Sequence, residues 1–347
     1  MPSHTHNTPA LRFPGYTGVW EQQQLEDVVT VYSGRDYKGI PAGTIPVYGT
    51  GGYMLSISQA LSDKNDAIGI GRKGTIDHPF ILKAPFWTVD TLFYCVPQHD
   101  YDLDFIYDLY QKVPWKALDE STGVPSLSKM TINHIKVLLP SLSEQKQIGS
   151  LFHQLDDRID LHQRQTQKLT ELKQGLLQNM FPREGESVPR LRFPGFTTKW
   201  KQQKVEEIAD CLTGHIEKEI GDVLLPVSGY SPHVLARTKC VREGGAYTIN
   251  GDVNIIRPHQ EVNGQFLSLS LNSGNDLIRL VQGSIGKRIP FMDVKDKVTV
   301  LLPELEEQQK IAEFFNAMSS LCEKNMGIVD RALLRIKDRF LRMMFIS

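Results

Sequence analysis

Cysteine is scarce. The 347 residues hold four, Cys95, Cys211, Cys240 and Cys322, widely spaced and with no C-x-x-C pair. That argues against a disulfide scaffold or a structural zinc site and fits a reducing, cytoplasmic setting. No apolar run approaches the roughly 20 residues needed to cross a bilayer. The opening Met1-Pro-Ser-His-Thr-His-Asn7 has no apolar core of the kind a secretory leader carries. Charge of one sign is missing too: 39 Lys and Arg stand against 40 Asp and Glu, a net charge of -1. A lysine-coated polyanion binder is therefore not expected, although local basic surfaces remain open. The chain contains no G-x-x-x-x-G-K-[ST] nucleotide loop, no H-E-x-x-H, no G-x-S-x-G elbow and no Asn/Asp-Pro-Pro-Tyr/Phe sequence. Its ten histidines form no metal-like cluster, so no catalytic or metal-ligating residue is assigned. What is present is a globular composition, 40% hydrophobic and 23% charged with mean hydropathy -0.27, long enough for two domains.

The chain is written twice. Leu11-Arg-Phe-Pro-Gly-Tyr-Thr-Gly-Val-Trp20 returns as Leu191-Arg-Phe-Pro-Gly-Phe-Thr-Thr-Lys-Trp200, and the match continues to Val28 and Ile208 with 10 of 18 positions identical. A second block closes each half: Val137-Leu-Leu-Pro-Ser-Leu-Ser-Glu-Gln145 matches Val300-Leu-Leu-Pro-Glu-Leu-Glu-Glu-Gln308. Between the blocks, residues 29–136 and 209–299 show no obvious similarity. Two related frames thus hold two different inserts, so the frames share one job and the inserts do two.

Each closing block leads into a long helical pattern. From Glu144 to Met180 there is no proline, and apolar residues recur along a seam of Ile148, Leu155, Leu169 and Leu176. The second copy gives Ile311, Phe315, Met318, Val329 and Ile336. His162 interrupts the first seam and Asn325 the second, at equivalent places, as polar residues do that fix register. Ser143 and Glu306 are expected as caps or first-turn residues. At about 1.5 Å per residue such a helix is a rod of ~55 Å, and two of them can bury their seams against each other.

The bodies alternate short β-rich runs with glycine turns. Strands are expected at Val28–Tyr32, Ile45–Tyr48, Ala67–Ile70, Trp87–Val89 and Leu92–Val96, with a helix over Leu103–Gln111. In the second body strands are expected near Tyr247–Ile249 and Val253–Arg257, a helix near Phe266–Asn272 and a turn over Gln282–Arg288. Gly69-Ile-Gly-Arg-Lys-Gly74 fits G-x-G-x-x-G, but no helix start follows it, so a dinucleotide site is rejected. It reads better as a tight loop presenting backbone N–H groups, Arg72, Lys73 and Thr75 to an anion or a base edge. The acidic stretch Asp100–Asp108 is expected to be the solvated face of a helix.

The repeated opener, the repeated Leu-Leu-Pro-x-Leu-x-Glu-Gln closer, Gly71-Arg-Lys-Gly-Thr75 and Pro85-Phe-Trp-Thr-Val-Asp-Thr-Leu-Phe93 together resemble the specificity subunits of type I restriction–modification systems. Thr122-Gly-Val-Pro-Ser-Leu-Ser128 and the endings Asn179-Met-Phe181 and Met343-Met-Phe345 add to the resemblance. It implies an α/β (α+β) fold with a pseudo-twofold internal repeat, in which two target recognition domains are joined by two long antiparallel, coiled-coil-like helices. The divisions it suggests are a first recognition domain over 1–140, a spacer helix over 141–182, a linker and second recognition domain over 183–303, and a second spacer helix over 304–347. It further implies a non-catalytic reader of a bipartite, asymmetric stretch of double-stranded DNA, docked to two modification (methyltransferase) subunits and to restriction subunits. Those partners, and not this chain, would use S-adenosylmethionine, ATP and Mg. The alternative is a duplicated protein-binding scaffold with no DNA role.

Base reading calls for Arg or Lys toward guanine, Asn or Gln toward adenine, and Ser or Thr toward either. In the first body the donor-rich candidates are Arg35, Lys38, Thr50, Tyr53, Arg72, Lys73, Thr75, Ser126 and Lys129. In the second they are Tyr230, Arg237, Lys239, Arg242, Asn254, Arg257, Asn263, Gln265, Lys287 and Arg288. The second body is shorter and lacks a clear counterpart of Pro85-Phe-Trp-Thr-Val-Asp-Thr, which marks it either as a divergent type or as partly degraded and weak in DNA binding.

Overall fold

The structure, a computed structural model, describes residues 7–214, 217–229, 231–243, 252–274, 276–283 and 287–346. The candidate Tyr230, the strand expected near Tyr247–Ile249 and the middle of the Gln282–Arg288 turn lie outside the described residues. The chain divides into two compact units: Met1–His162 with Gly327–Ser347, and Gln163–Met326. One division falls inside the long helix Leu142–Met180 and the other at the end of the helix Leu305–Gly327, where a π-helical turn follows.

The first copy runs β1 (Glu21–Gln24), α1 (Leu25–Val28), β2 (Val29–Ser33), β3 (Ala42–Gly49), β4 (Gly52–Ile57), β5 (Ala67–Gly71), β6 (Phe80–Leu82), β7 (Trp87–Thr88), β8 (Leu92–Pro97), α2 (Leu103–Lys112), α3 (Lys129–Asn133), β9 (Lys136–Leu139) and α4 (Leu142–Met180). The second runs β10 (Lys201–Lys204), α5 (Val205–Ile208), β11 (Ala209–Leu212), β12 (Val223–Pro226), β13 (Ser228–Gly229), α6 (Pro232–Leu235), β14 (Lys239–Cys240), β15 (Val253–Pro258), α7 (Gly264–Ser273), α8 (Asp276–Arg279), β16 (Lys287–Arg288), α9 (Phe291–Lys297), β17 (Thr299–Leu302), α10 (Leu305–Gly327) and α11 (Leu334–Met344).

The bodies differ in sequence yet build the same sheet. In the first unit it is four-stranded and antiparallel in the order β2-β8-β5-β6; in the second the order is β11-β15-β12-β14. β2 shows why such strands form: Val29 and Val31 point into the core while Thr30 and Tyr32 face out. β5 is buried along its whole length and reads as a continuous apolar run. The first unit adds a three-stranded sheet, β4-β3-β7, whose β3 and β4 are inserted between β2 and β5 and whose β7 lies between β6 and β8 in chain order.

The repeated blocks lock onto each other in the same way twice. Arg12 grips Glu144 through two hydrogen bonds of 2.6 and 2.7 Å, and Arg192 grips Glu307 with the same two distances. Both carboxylates are fully buried. The next residue reaches into the body. Gln145 accepts from the backbone N–H of Asp102, whose side chain caps α2, and Gln308 accepts from that of Asn263, which caps α7. Ser143 and Glu306 lie in the first helical turn; the first helical hydrogen bonds are accepted by the carbonyls of Ser141 and Glu304.

Each unit closes with a helix end from the other copy. In the first, Trp20 packs edge-on against Phe105 and against Phe345 beyond α11, and the Leu11 N–H donates to the Met343 carbonyl at 2.8 Å. In the second, Trp200 meets Phe266 and Phe181 in the same manner, and the Leu191 N–H donates to Asn179 at 2.8 Å. The helix pairing inside each unit is antiparallel. Phe152 meets Phe345 and Asp156 meets Lys337 in the first, and Lys173 meets Ser319 in the second.

Two expectations are corrected. Ile336, assigned to the seam, is exposed, and Lys337 is turned inward instead. The cause is a π-helical segment at Ile328–Leu333, whose extra residue per turn advances the inward face by one position. Ile148, Ile311, Phe315 and Val329 are buried as expected, with Leu155 and Leu176 half-buried against the cores. The acidic stretch does lie on α2, but Asp108 is buried at 1% exposure instead of solvated. Helices α2 and α4 enclose it.

Candidate nucleic-acid interface

In the first unit one short segment, Thr88–Thr91, anchors three donor-bearing loops. The Arg35 N–H donates to Thr88 O at 2.8 Å, and the Trp87 indole donates back to Arg35 O. The Arg72 and Lys73 N–H groups both donate to Thr91 O, and the Arg72 guanidinium reaches Asp90 O at 3.3 Å while lying over Phe93. The Val89 N–H donates to Tyr48 O, two residues before Thr50 at the β3–β4 tip. Glycine is demanded at two of these approaches. A Cβ on Gly34 would stand 2.0 Å from Val89 O, and one on Gly71 would stand 1.9 Å from Thr75 O.

The same loop is clamped from the other side. Gly74 N–H donates to Pro125 O, Leu127 N–H to Arg72 O, and Lys73 bridges Ser126. Asp119 accepts from the N–H groups of Ser126 and Ser121, bonds that hold its carboxyl below the usual range. Ser128 caps α3, whose first residue is Lys129. The structure thus gathers Arg35, Thr50, Arg72, Lys73, Thr75 and Ser126 on loops tied to one segment. Tyr53 is exposed in β4 beside Tyr48. Lys38 is exposed as well, on the Arg35 loop next to Asp36. Of these residues Arg35, Lys38, Tyr53, Arg72, Lys73 and Thr75 are exposed and Thr50 and Ser126 half-buried, which leaves them open to base-edge and phosphate contacts. Gly69–Gly74 leads into a loop, not a helix, which agrees with the rejection of a dinucleotide site.

The second unit repeats the clamp with other residues. β13 pairs with β16, so Lys287 lies opposite Gly229 and Arg288 opposite Ser228, and the Ile289 N–H donates to Val227 O as Leu127 does to Arg72 O. Arg237, Lys239 and Arg242 are exposed on and around the edge strand β14. Four candidates stand apart from the exposed set. Asn254 is buried in β15. Arg257 is held by Asp222 through two bonds of 2.9 Å and by Glu219 at 2.6 Å. Asn263 caps α7, and Gln265 is half-buried in its first turn. A residue type suited to bases is equally suited to caps and buried pairs, and the sequence alone does not separate the two. The frame pairs Arg12–Glu144 and Arg192–Glu307 were not singled out as sites, although both partners stand in the repeated blocks.

Burial pushes the Cys95 thiol up to about 12 and those of Cys211 and Cys240 to about 11, which disfavours the reactive thiolate; Cys95 and Cys240 are buried and Cys211 is half-buried against the core. No helix of the described residues is long and apolar enough to cross a membrane.

Comparison with known proteins adds to this geometry. The family model described as "Type I restriction modification DNA specificity domain" matches residues 18–171. The type I restriction enzyme MjaVIII specificity subunit of Methanocaldococcus jannaschii is 26% identical over 201 residues, 56% of this chain; the match spans 44% of that relative's length. Among solved structures, a type I restriction-modification S subunit from M. genitalium aligns with TM-score 0.72 at 14% identity, over 98% of this chain and 99% of that one. A structure concerned with assembly and conformational transition of the type I R-M system aligns with TM-score 0.50 at 15% identity, over 93% and 96%. The fold is shared along nearly the whole length with these S-subunit structures, and residues 18–171 match the type I restriction modification DNA specificity domain.

Proposed function

We propose that this chain is the non-catalytic reader of a bipartite, asymmetric DNA sequence, each body contacting one half. The observation that carries the reading is the pairing of like with unlike. Two frames repeat the same Arg–Glu and Gln–cap contacts, while the clamped loops they position offer different donors: Arg72, Lys73 and Ser126 in one, Lys287 and Arg288 in the other. A symmetric target would need no such difference. The long helices set the separation of the half-sites and dock methyltransferase subunits, and restriction subunits join that assembly. S-adenosylmethionine, ATP and Mg act on those partners.

Methylated adenines mapped across the host genome, with and without this gene, give the target. The chain bound to its methyltransferase partner is then expected to hold that duplex at salt concentrations that strip off a random duplex of equal length. Equal retention of both favours the protein-binding scaffold. Exchanging residues 29–136 for another family member's body is expected to change one half of the target and leave the other. Change in both halves, or in neither, defeats the assignment.

A further inference from the structure

Carboxylates gather in a cavity of about 300 Å³ in the first unit, lined by Asp104, Tyr107 and Asp108 of α2 and by His153, Asp156 and Asp157 of α4, among others. Lys337 of α11 donates to Asp156 at 2.5 Å, with its ammonium 6.0 Å from the Tyr107 ring centroid. With Asp160 the lining holds five carboxylates, and one lysine against them leaves the cavity negative. Asp108 is 1% exposed and its Oδ2 has no hydrogen-bond partner; Asp104 Oδ1 has none either, with His153 Nδ1 3.6 Å away. Burial holds both carboxyls above the ordinary carboxylate range. A buried carboxylate oxygen without a donor is costly, and either a proton or a cation relieves that cost.

The architecture does not require these acids. Counted from the two capped helix starts and the two Glu-Gln pairs, the matching positions in the second unit are Gln265, Ser268 and Leu269 in α7, and Asn316, Ser319 and Ser320 in α10. Lys173 there donates to Ser319 at 2.7 Å, as Lys337 does to Asp156. The lysine is kept and four of the five carboxylates are gone; the fifth, Asp160, corresponds to Glu323. We propose that the cavity takes the guanidinium of an arginine presented by a protein partner, stacked on Tyr107 and bridged by Asp104 and Asp108. A flat, weakly hydrated cation with a fork of donors matches an aromatic wall beside carboxylates. A metal ion matches less well, since among the described residues no group of three or more His, Cys, Asp or Glu is set to hold one. Nucleic acid is repelled. Because one unit alone offers Asp104, Asp108, Asp156 and Asp157, the contact distinguishes the two halves of an otherwise duplicated frame, and it holds whether or not the bodies read DNA.

The test titrates the full chain with N-acetyl-argininamide at constant ionic strength, followed by calorimetry, beside agmatine, spermidine and magnesium. Saturable binding of the blocked arginine is expected, weakened at least about tenfold by Asp108→Asn and by Asp108→Leu. The leucine variant copies the second unit and should keep or raise the Tm, so lost binding does not reflect unfolding. Agmatine or spermidine binding about tenfold tighter than the blocked arginine would make the ligand a free polyamine and overturn the proposal. Magnesium displacing arginine would make the cavity a metal site and overturn it too. Equal arginine binding by wild type and both variants, or no saturable binding at all, would do the same.

Discussion

A guanidinium and a carboxylate removed from water together are safe only as a pair. Arg12→Met leaves the fully buried Glu144 facing an apolar neighbour, and the expected loss is about 3–5 kcal/mol. The double change Arg12→Met with Glu144→Leu is expected to lose clearly less, because no charge is stranded. Urea unfolding of the three proteins decides it; a single variant as stable as wild type would show that the pair carries no strain when broken. Asp108 poses the reverse case. Its carboxyl is held well above the ordinary range by burial, so between the unfolded value near ~3.9 and its own higher value the folded state binds the extra proton. Stability of the wild type therefore falls as pH rises through that window. Asp108→Asn is expected to match wild type below the window and to melt higher at neutral pH. A Tm gap that is flat with pH would exclude the ionisation as its cause. At this scale the sequence was legible in part. Arg72 and Lys73 stand where their loop suggested, but Asn263 and Arg257 were drawn off to a cap and a buried pair, because hydrogen-bonding capacity does not reveal which partner is nearest.

Among the elements, strong periodicity was readable and weak periodicity was not. The long first helix was expected over 141–182 and is found at Leu142–Met180, and four of the first body's strands fall within a residue or two of their expected places. Short strands such as β6, β12 and β13, of two to four residues, offer too few alternations to stand out. The matching sheet order of the two bodies was likewise hidden. Pairing order is fixed by which strands meet, and many side-chain sets satisfy the same buried alternation. The π-helical segment was invisible for another reason: a heptad count assumes one period throughout. Its effect can be checked by substitution on either side. Ile336→Lys is expected to change stability by no more than about 0.5 kcal/mol, whereas Ile311→Ala in the buried seam is expected to cost about 2–5 kcal/mol. If the Ile336 change proved as costly as the other, the seam would run straight through the segment and the shifted phase would be wrong.

At the scale of the molecule, the duplication is best understood as an exchange. The opener of each copy is completed by the helix end of the other: Leu11 and Trp20 by Met343 and Phe345, Leu191 and Trp200 by Asn179 and Phe181. In the second unit the two pieces are covalently continuous through residues 182–190; in the first, the same hydrogen bond and the same edge-on tryptophan contact join them without a connecting segment. If the contacts alone place the pieces, the connection is interchangeable between the units. A linker of about four residues from Ile346 to Asn7 would span Met343 to Leu11 with as much chain as separates Asn179 from Leu191. New ends can then be opened between Glu184 and Gly185, where Gly185 has a positive φ of 84° and sits on an exposed turn. The permuted protein is expected to melt within a few degrees of the original and, under the proposed function, to direct methylation by a methyltransferase partner to an unchanged sequence. Separating the pieces without the new join is the informative contrast. Should the permuted chain fail to fold while the chain cut only at Gly185 folds, the Leu11–Met343 junction would not be the counterpart of Leu191–Asn179, and the two units would not be copies of one plan.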